Sequence, residues 1–272
     1  MFRIAFMHAA YSLAACLLTV LSPMAKAEPI KLYAAGSLKA ALTEVARAFE
    51  AVVPGATVET EFAASGLLRE RIEKGETAHV FASADTGHPK KLSEAGKTRG
   101  PVRVFARNEL CALAKPGLTV SSETLLSTML DPSVRLGMST PKADPSGDYA
   151  LELFTRAEAV KPGAKAALEA KALQLTGGPT SPKAPDGRNL YAWVLDSDKA
   201  DLFVTYCTNA VLAKTETATL TIVAVPAGMS VGAAYGLTVI AGAPTLADRL
   251  AEFIAGGPGQ AILAKYGFGK GS

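Results

Sequence analysis

The chain has 272 residues, 49% of them hydrophobic and 19% charged, with a formal net charge of +3. That length permits one large or two ordinary domains, and that apolar content builds a core without metal or disulfide staples. High hydrophobicity with near-neutral charge excludes a disordered chain, and so small a basic surplus argues against a nucleic-acid binder.

Residues 1–27 read as a secretory signal peptide. Arg3 supplies the positive start, Ala9 to Leu21 is apolar except for Tyr11, Ser12 and Thr19, and Ala25-Lys26-Ala27 is a small-x-small cleavage pattern. Cleavage is expected after Ala27, giving a soluble, periplasmic protein. The apolar run is shorter than the roughly 20 residues that a membrane span needs, and no later stretch is long and apolar enough. A lipoprotein site ending at Cys16 is the weaker alternative, because apolar residues continue beyond it. Cys111 and Cys207 then remain. Export permits a disulfide, but two cysteines make no framework, and the favoured reading is two small buried residues in strand-like segments. The two later histidines, His79 and His88, stand in no CxxC or HExxH pattern, so no zinc centre is expected.

The elements follow in order. Ile30–Ala35 is an apolar strand, Gly36-Ser37 a turn, and Leu38, Leu42, Val45, Ala46 and Phe49 line one helix face. After Pro54-Gly55, residues 57–62 alternate as a strand, Ala63-Ala64-Ser65-Gly66 leads into a helix, and Val80–Ser83 is a third strand. Val102–Ala106 and Glu109–Ala114 read as two strands, Ser122–Leu130 as a helix, and Arg135–Met138 as a strand. A polar loop over 140–147 precedes a helix starting near Asp148. Gly177–Gly187 reads as a surface loop. Arg188–Leu195 reads as helix, 200–207 and 219–225 as strands, 235–240 as strand, and 246–255 and 260–266 as helices. Strands alternating with helices predict mostly parallel sheet covered on both faces.

Ser37, Ser65 and Ser146 each open a helix. A helix start has unpaired N–H groups and a positive dipole end, which together favour anions. Serine is equally a favoured cap, so any one of these alone reads as capping. The surrounding segments carry more. They are Tyr33-Ala34-Ala35-Gly36-Ser37-Leu38, Phe62-Ala63-Ala64-Ser65-Gly66-Leu67-Leu68, Ala82-Ser83-Ala84-Asp85, Pro145-Ser146-Gly147-Asp148-Tyr149-Ala150, Val204-Thr205-Tyr206-Cys207-Thr208-Asn209-Ala210 and Tyr266-Gly267-Phe268. In this order and spacing the chain resembles the periplasmic molybdate-binding proteins of ABC transporters, over essentially everything after residue 27.

The resemblance implies an α/β, two-domain periplasmic-binding-protein fold with a hinged cleft, each domain a mixed, mostly parallel sheet flanked by helices. One domain is expected to hold 28–107 plus 208–272 and the other 108–207. It implies a molybdate-binding (and tungstate-binding) component of an importer, serving an inner-membrane ABC permease and its ATPase, monomeric, without a cofactor and without catalysis. It implies hydroxyl and N–H donors from Ser37 and Ser65, a backbone N–H at Ser146 and the Tyr206 hydroxyl. The remaining ligand position, eighteen residues before Tyr206, falls on Arg188, where the family has an apolar residue. Either Arg188 offers only its N–H, or its guanidinium clamps the ligand; the latter suits sulfate, a phosphonate or a small carboxylate. Asp148 and Asp186 are expected to face outward, and His79, where the family has aspartate, to be structural. A remote alternative is an exported serine hydrolase, since Gly228-Met229-Ser230-Val231-Gly232 matches a nucleophile elbow. No histidine follows it, and Pro226 disturbs the strand it requires.

Overall fold

The computed structural model describes residues 28–271. The expected signal peptide, its cleavage after Ala27 and Cys16 lie outside them. The described chain runs β1 (Ile30–Ala35), α1 (Lys39–Val52), β2 (Val58–Ala63), α2 (Ser65–Glu73), β3 (Val80–Ser83), α3 (Gly87–Glu94), β4 (Thr98–Ala114), α4 (Leu125–Leu130), β5 (Leu136–Ser139) and α5 (Pro145–Val160). It continues through α6 (Ala164–Lys171), β6 (Leu173–Thr176), α7 (Leu190–Asp196), β7 (Leu202–Tyr206), α8 (Cys207–Glu216), β8 (Thr221–Ala224), β9 (Gly232–Ile240), α9 (Thr245–Ala255), α10 (Gly257–Lys265) and β10 (Gly269–Lys270).

The strands lie in the order β2-β1-β3-β9-β4-β7-β5-β6, with β8 and β10 also on β4. Pairing divides this array in two. β1 pairs parallel with β2 and β3, and β5 pairs parallel with β6 and β7; helices make the crossovers that parallel neighbours need. Antiparallel pairs gather on β4 and β9. The first part of β4, Thr98 to Glu109, pairs with β9, whereas Leu110–Ala114 pairs with β7 and Cys111–Ala114 with β8. One strand therefore belongs to both sheets. The chain leaves the first sheet along β4 and returns through 225–231, because β8 still pairs in the second sheet and β9 in the first. Pairing thus changes sheets after β8 rather than at the expected 207/208 division.

The expected strands 102–106 and 109–114 are one strand. Register shifts between Arg99 and Arg103 and between Val104 and Ala106 break its alternation. Gly100, with φ of +77°, sits in the first of these irregularities. Helices α3, α6 and α8 and strand β6 are not legible: they are short, and α3 and α6 each carry a single large aliphatic residue, Leu92 and Leu168, too little to mark a face. The helices that were legible bury clear stripes. α1 inserts Leu42, Val45 and Phe49 under the first sheet, and α9 inserts Leu250 and Ile254 beside them; Phe49 meets Phe253 edge-on at 5.5 Å.

Cys111 and Cys207 form a disulfide, which corrects their reading as free buried residues. In the β4–β7 register Leu110 lies opposite Tyr206 and Cys111 opposite Thr205, which would carry Cys207 on towards Glu109; the chain instead turns into α8 at Cys207, and its Cα stands 4.8 Å from that of Cys111. The bridge closes 96 residues of sequence separation, and a loop of that length restricts the unfolded chain by about 4–5 kcal/mol in chain-entropy terms. The double variant Cys111→Ala/Cys207→Ala is expected to lower the thermal midpoint by about 5–15 °C, read by circular dichroism. An unchanged midpoint would show that strand pairing alone holds this end of the second sheet.

Candidate functional site

Three of the five expected site residues meet at the junction of the two sheets. Ser37 lies in the tight 3-10 turn Gly36–Leu38 that joins β1 to α1, and its hydroxyl is 3.1 Å from the Tyr235 hydroxyl on β9. Ser65 begins α2 and is fully buried; its hydroxyl oxygen accepts from the Ala84 N–H at 3.1 Å, leaving its own proton to donate. Tyr206 ends β7 in the second sheet and donates its hydroxyl to the Ala84 carbonyl, just beyond β3 of the first sheet, at 3.3 Å. The Ala84 residue thus connects Ser65 with Tyr206 across the junction.

Aromatic packing fixes these hydroxyls. The Tyr206 ring stands 5.4 Å from that of Tyr235 and 6.2 Å from that of Tyr149. Asn108, at the point where β4 changes sheets, donates its amide to the Tyr235 hydroxyl at 3.2 Å and to the Thr208 hydroxyl at 2.7 Å. Burial pushes the Tyr206 and Tyr235 hydroxyls well above the ordinary tyrosine range, and the charges of Asp144 and Asp85 reinforce the shift at Tyr206. Both therefore stay neutral donors at any physiological pH. Tyr149, Tyr235, Asn108 and Thr208 were not expected from sequence; only their adjacency in the folded chain marks them.

Ser146 belongs to the second lobe, on the same helix as Tyr149, whose ring meets that of Tyr206. It lies in the first turn of α5 and is 1% exposed, yet its hydroxyl has no partner. α5 begins at Pro145, three residues before the expected start, with Asp144 as its cap: the carboxylate Oδ1 accepts from Ser146 N–H at 3.0 Å. Asp-Pro at a helix start is a legible cap signal, since Pro suits the first helical position. Burial pushes the Asp144 carboxyl up to about 6, opposed by the Ser146 N–H and the Ser139 hydroxyl. The two lobes touch here. Gly66 N–H donates to the Ala143 carbonyl at 2.8 Å, and a Cβ on Gly66 would stand 2.5 Å from the Lys142 carbonyl oxygen and 2.7 Å from that of Ala143. Only glycine allows that approach.

Arg188 is not brought to this group, which corrects both of its expected roles. Its guanidinium is exposed and bonds Glu216 and Asp196 at 2.6 Å each, tying the loop before α7 to α8. Its N–H closes a turn on the Pro185 carbonyl. Asp186 and Asp148 are exposed, as expected, and Asp148 accepts from Lys142 N–H at 3.0 Å. His79 is structural: its Nδ1 accepts from Lys31 N–H at 3.0 Å beside β1. The Gly228–Gly232 segment is no nucleophile elbow. It forms the turn between β8 and β9 and is followed by a strand, whereas an elbow needs a helix there. Among the described residues no cluster of His, Cys, Asp and Glu could hold a metal ion, and no helix is long and apolar enough to cross a membrane.

The arrangement offers neutral hydroxyls and helix starts converging from two lobes that close on each other. Gly66→Ala is expected to hold the lobes apart and raise the radius of gyration in small-angle scattering. Gly36→Ala, where a Cβ meets nothing within 4 Å, is the control. Identical scattering from the two variants would show that the Gly66–Ala143 approach does not govern closure.

A sequence profile described as "Bacterial extracellular solute-binding protein" matches residues 30–269. The uncharacterized protein PM1146 of Pasteurella multocida is 43% identical over 153 residues, 56% of this chain and 63% of that protein. The molybdate-binding protein ModA of Mycobacterium tuberculosis H37Rv is 38% identical over 95 residues, 35% of this chain and 36% of its own length. The matches thus span less than two thirds of either relative. Among solved structures, the periplasmic molybdate-binding protein of Azotobacter vinelandii superposes with a TM-score of 0.68 at 20% identity, covering 88% of this chain and 98% of that one. At that identity the likeness is one of fold. With two mixed sheets sharing one strand, a junction lined by hydroxyl donors, and a family match across nearly all described residues, this chain belongs to the bacterial extracellular solute-binding proteins.

Proposed function

We propose that the chain is the periplasmic solute-binding component of an ABC importer, and that its interlobe junction takes a tetrahedral oxyanion, molybdate first and tungstate with it. The observation that carries this reading is the Ser146 hydroxyl. It is buried and unpartnered at the start of a 16-residue helix that also carries Tyr149, whose ring packs on Tyr206. A buried hydroxyl without a partner is costly unless a ligand completes it. Molybdate at neutral pH is a fully ionised dianion whose oxygens only accept. Ser37, Ser65 and Ser146 supply donors without bringing a counter-charge, Tyr206 joins them when its hydroxyl turns from the Ala84 carbonyl, and a closed, dry junction strengthens each bond. The protein's part is binding and presentation, with no covalent step and no cofactor.

β4 and segment 225–231 are the two connections between lobes, so bending there opens the junction and the Gly66–Ala143 approach closes it. The closed surface is what an inner-membrane permease and its ATPase would receive, after removal of residues 1–27. Selection against sulfate rests on cavity size, since the two ions share charge and shape. The reading in which Arg188 clamps a carboxylate or phosphonate loses its donor to Glu216 and Asp196.

Calorimetric titration with molybdate tests this, with sulfate and phosphate as controls. One-to-one binding of molybdate is expected, with a tenfold or greater loss in Ser146→Ala, the scale of one buried donor. Folded protein that ignores molybdate would overturn the ligand assignment.

A further inference from the structure

Asp144 is a carboxylate placed where an anion is expected. Its Oδ1 takes the Ser146 N–H at 3.0 Å, the same donor that the oxyanion reading assigns to the ligand. An anion oxygen accepting from that N–H stands within hydrogen-bonding reach of the nitrogen, as does Asp144. Two negatively charged acceptors then share one proton donor.

The surroundings offer no relief. Asp148 on α5 and Asp85 after β3 both act on Asp144 with negative charge. Tyr191 on α7, Tyr206 on β7 and Tyr235 on β9 lie within its field, and all three stay neutral. The Ser139 hydroxyl at the end of β5, 2.8 Å from that of Thr176, is the side chain that pulls the carboxyl back down. After β6, the Gly177 backbone packs against its carboxyl so closely that a Cβ there would collide with it. Asp144 cannot swing toward Gly177, and the Ser146 hydroxyl beside it has no partner.

Resting on the oxyanion reading above, we propose that Asp144 decides which anions the junction accepts: a fully ionised dianion binds only together with one proton, held between an anion oxygen and the Asp144 carboxyl. The balance is simple. The Asp144 carboxylate, one proton from solvent and the dianion give a carboxyl–anion hydrogen bond in which each oxygen has a proton to share. Burial already raises Asp144 to about 6, and a dianion beside it raises it further. The sign follows from linkage. The bound form holds the proton more tightly than the free form, so affinity is greatest below the free-state value. It falls about tenfold per pH unit above that value, until the bound-state value is reached. An anion that carries its own proton, such as hydrogen phosphate, meets Asp144 without proton uptake.

The test is titration of the full mature protein with molybdate at pH 7.5, in two buffers of different ionisation enthalpy, where molybdate itself carries no proton. The wild type is expected to take up about one proton per anion, with affinity falling about tenfold per unit between pH 6.5 and 8.5. Asp144→Asn, which still caps α5, is expected to take up none, to bind independently of pH, and to bind more tightly than wild type at pH 8.5. Binding by the wild type without proton uptake would overturn the proposal, as would unchanged uptake in Asp144→Asn. Failure of both proteins to bind molybdate while folded is a different result, which removes the oxyanion reading itself and this proposal with it.

Discussion

Strand β4 is the constraint from which the rest of the molecule follows. Its first part is bound to β9 and its last five residues to β7 and β8, so the two sheets cannot separate without bending one strand. Asn108 sits at that change of partners and ties Tyr235 of the first sheet to Thr208, just after β7 of the second. The disulfide from Cys111 to Cys207 anchors the same strand a few residues further along. A hinge made this way is stiff at its base and free at its rim. Tyr206 emerges from the stiff part, whereas Gly66 of the first lobe meets Ala143, just before α5, in the second.

Much of this was legible because the helices and strands carry their own marks. The stripe Leu38, Leu42, Val45 and Phe49 gives α1, and the apolar runs Ile30–Ala35 and Val80–Ser83 give β1 and β3. Tertiary effects hid the rest. β4 reads as two strands because register shifts interrupt its pattern. The 207/208 division failed to match the pairing because β8 is held in the second sheet by hydrogen bonds to β4, a fact that no local composition records.

The site divides in the same way. Ser37, Ser65, Ser146 and Tyr206 are visible as small polar residues or a tyrosine at element ends, where backbone groups are free. Arg188 was misplaced because counting residues from Tyr206 ignores what lies opposite. Glu216 of α8 and Asp196 of α7 are both within 2.6 Å of its guanidinium, and neither neighbour can be inferred from a spacing. Asp144 is hidden for the converse reason. A helix start at Asp148 leaves Asp144 in an anonymous loop, although Asp-Pro is a cap signal that places α5 three residues earlier.

That small shift of the helix start alters the electrostatics of the junction. With α5 beginning at Asp148, Ser146 would be a loop residue with a spare N–H and no charge beside it. With α5 beginning at Pro145, the helix dipole points at the junction, but its foremost N–H already serves a carboxylate on the same chain. A cap of this kind stabilises the helix by about 1 kcal/mol. It also places a negative charge directly on the Ser146 N–H, beside neutral hydroxyl donors. Serine or asparagine would cap the helix equally well without that charge. The carboxylate is therefore more than stability requires, and its consequence falls on whatever anion shares the Ser146 N–H.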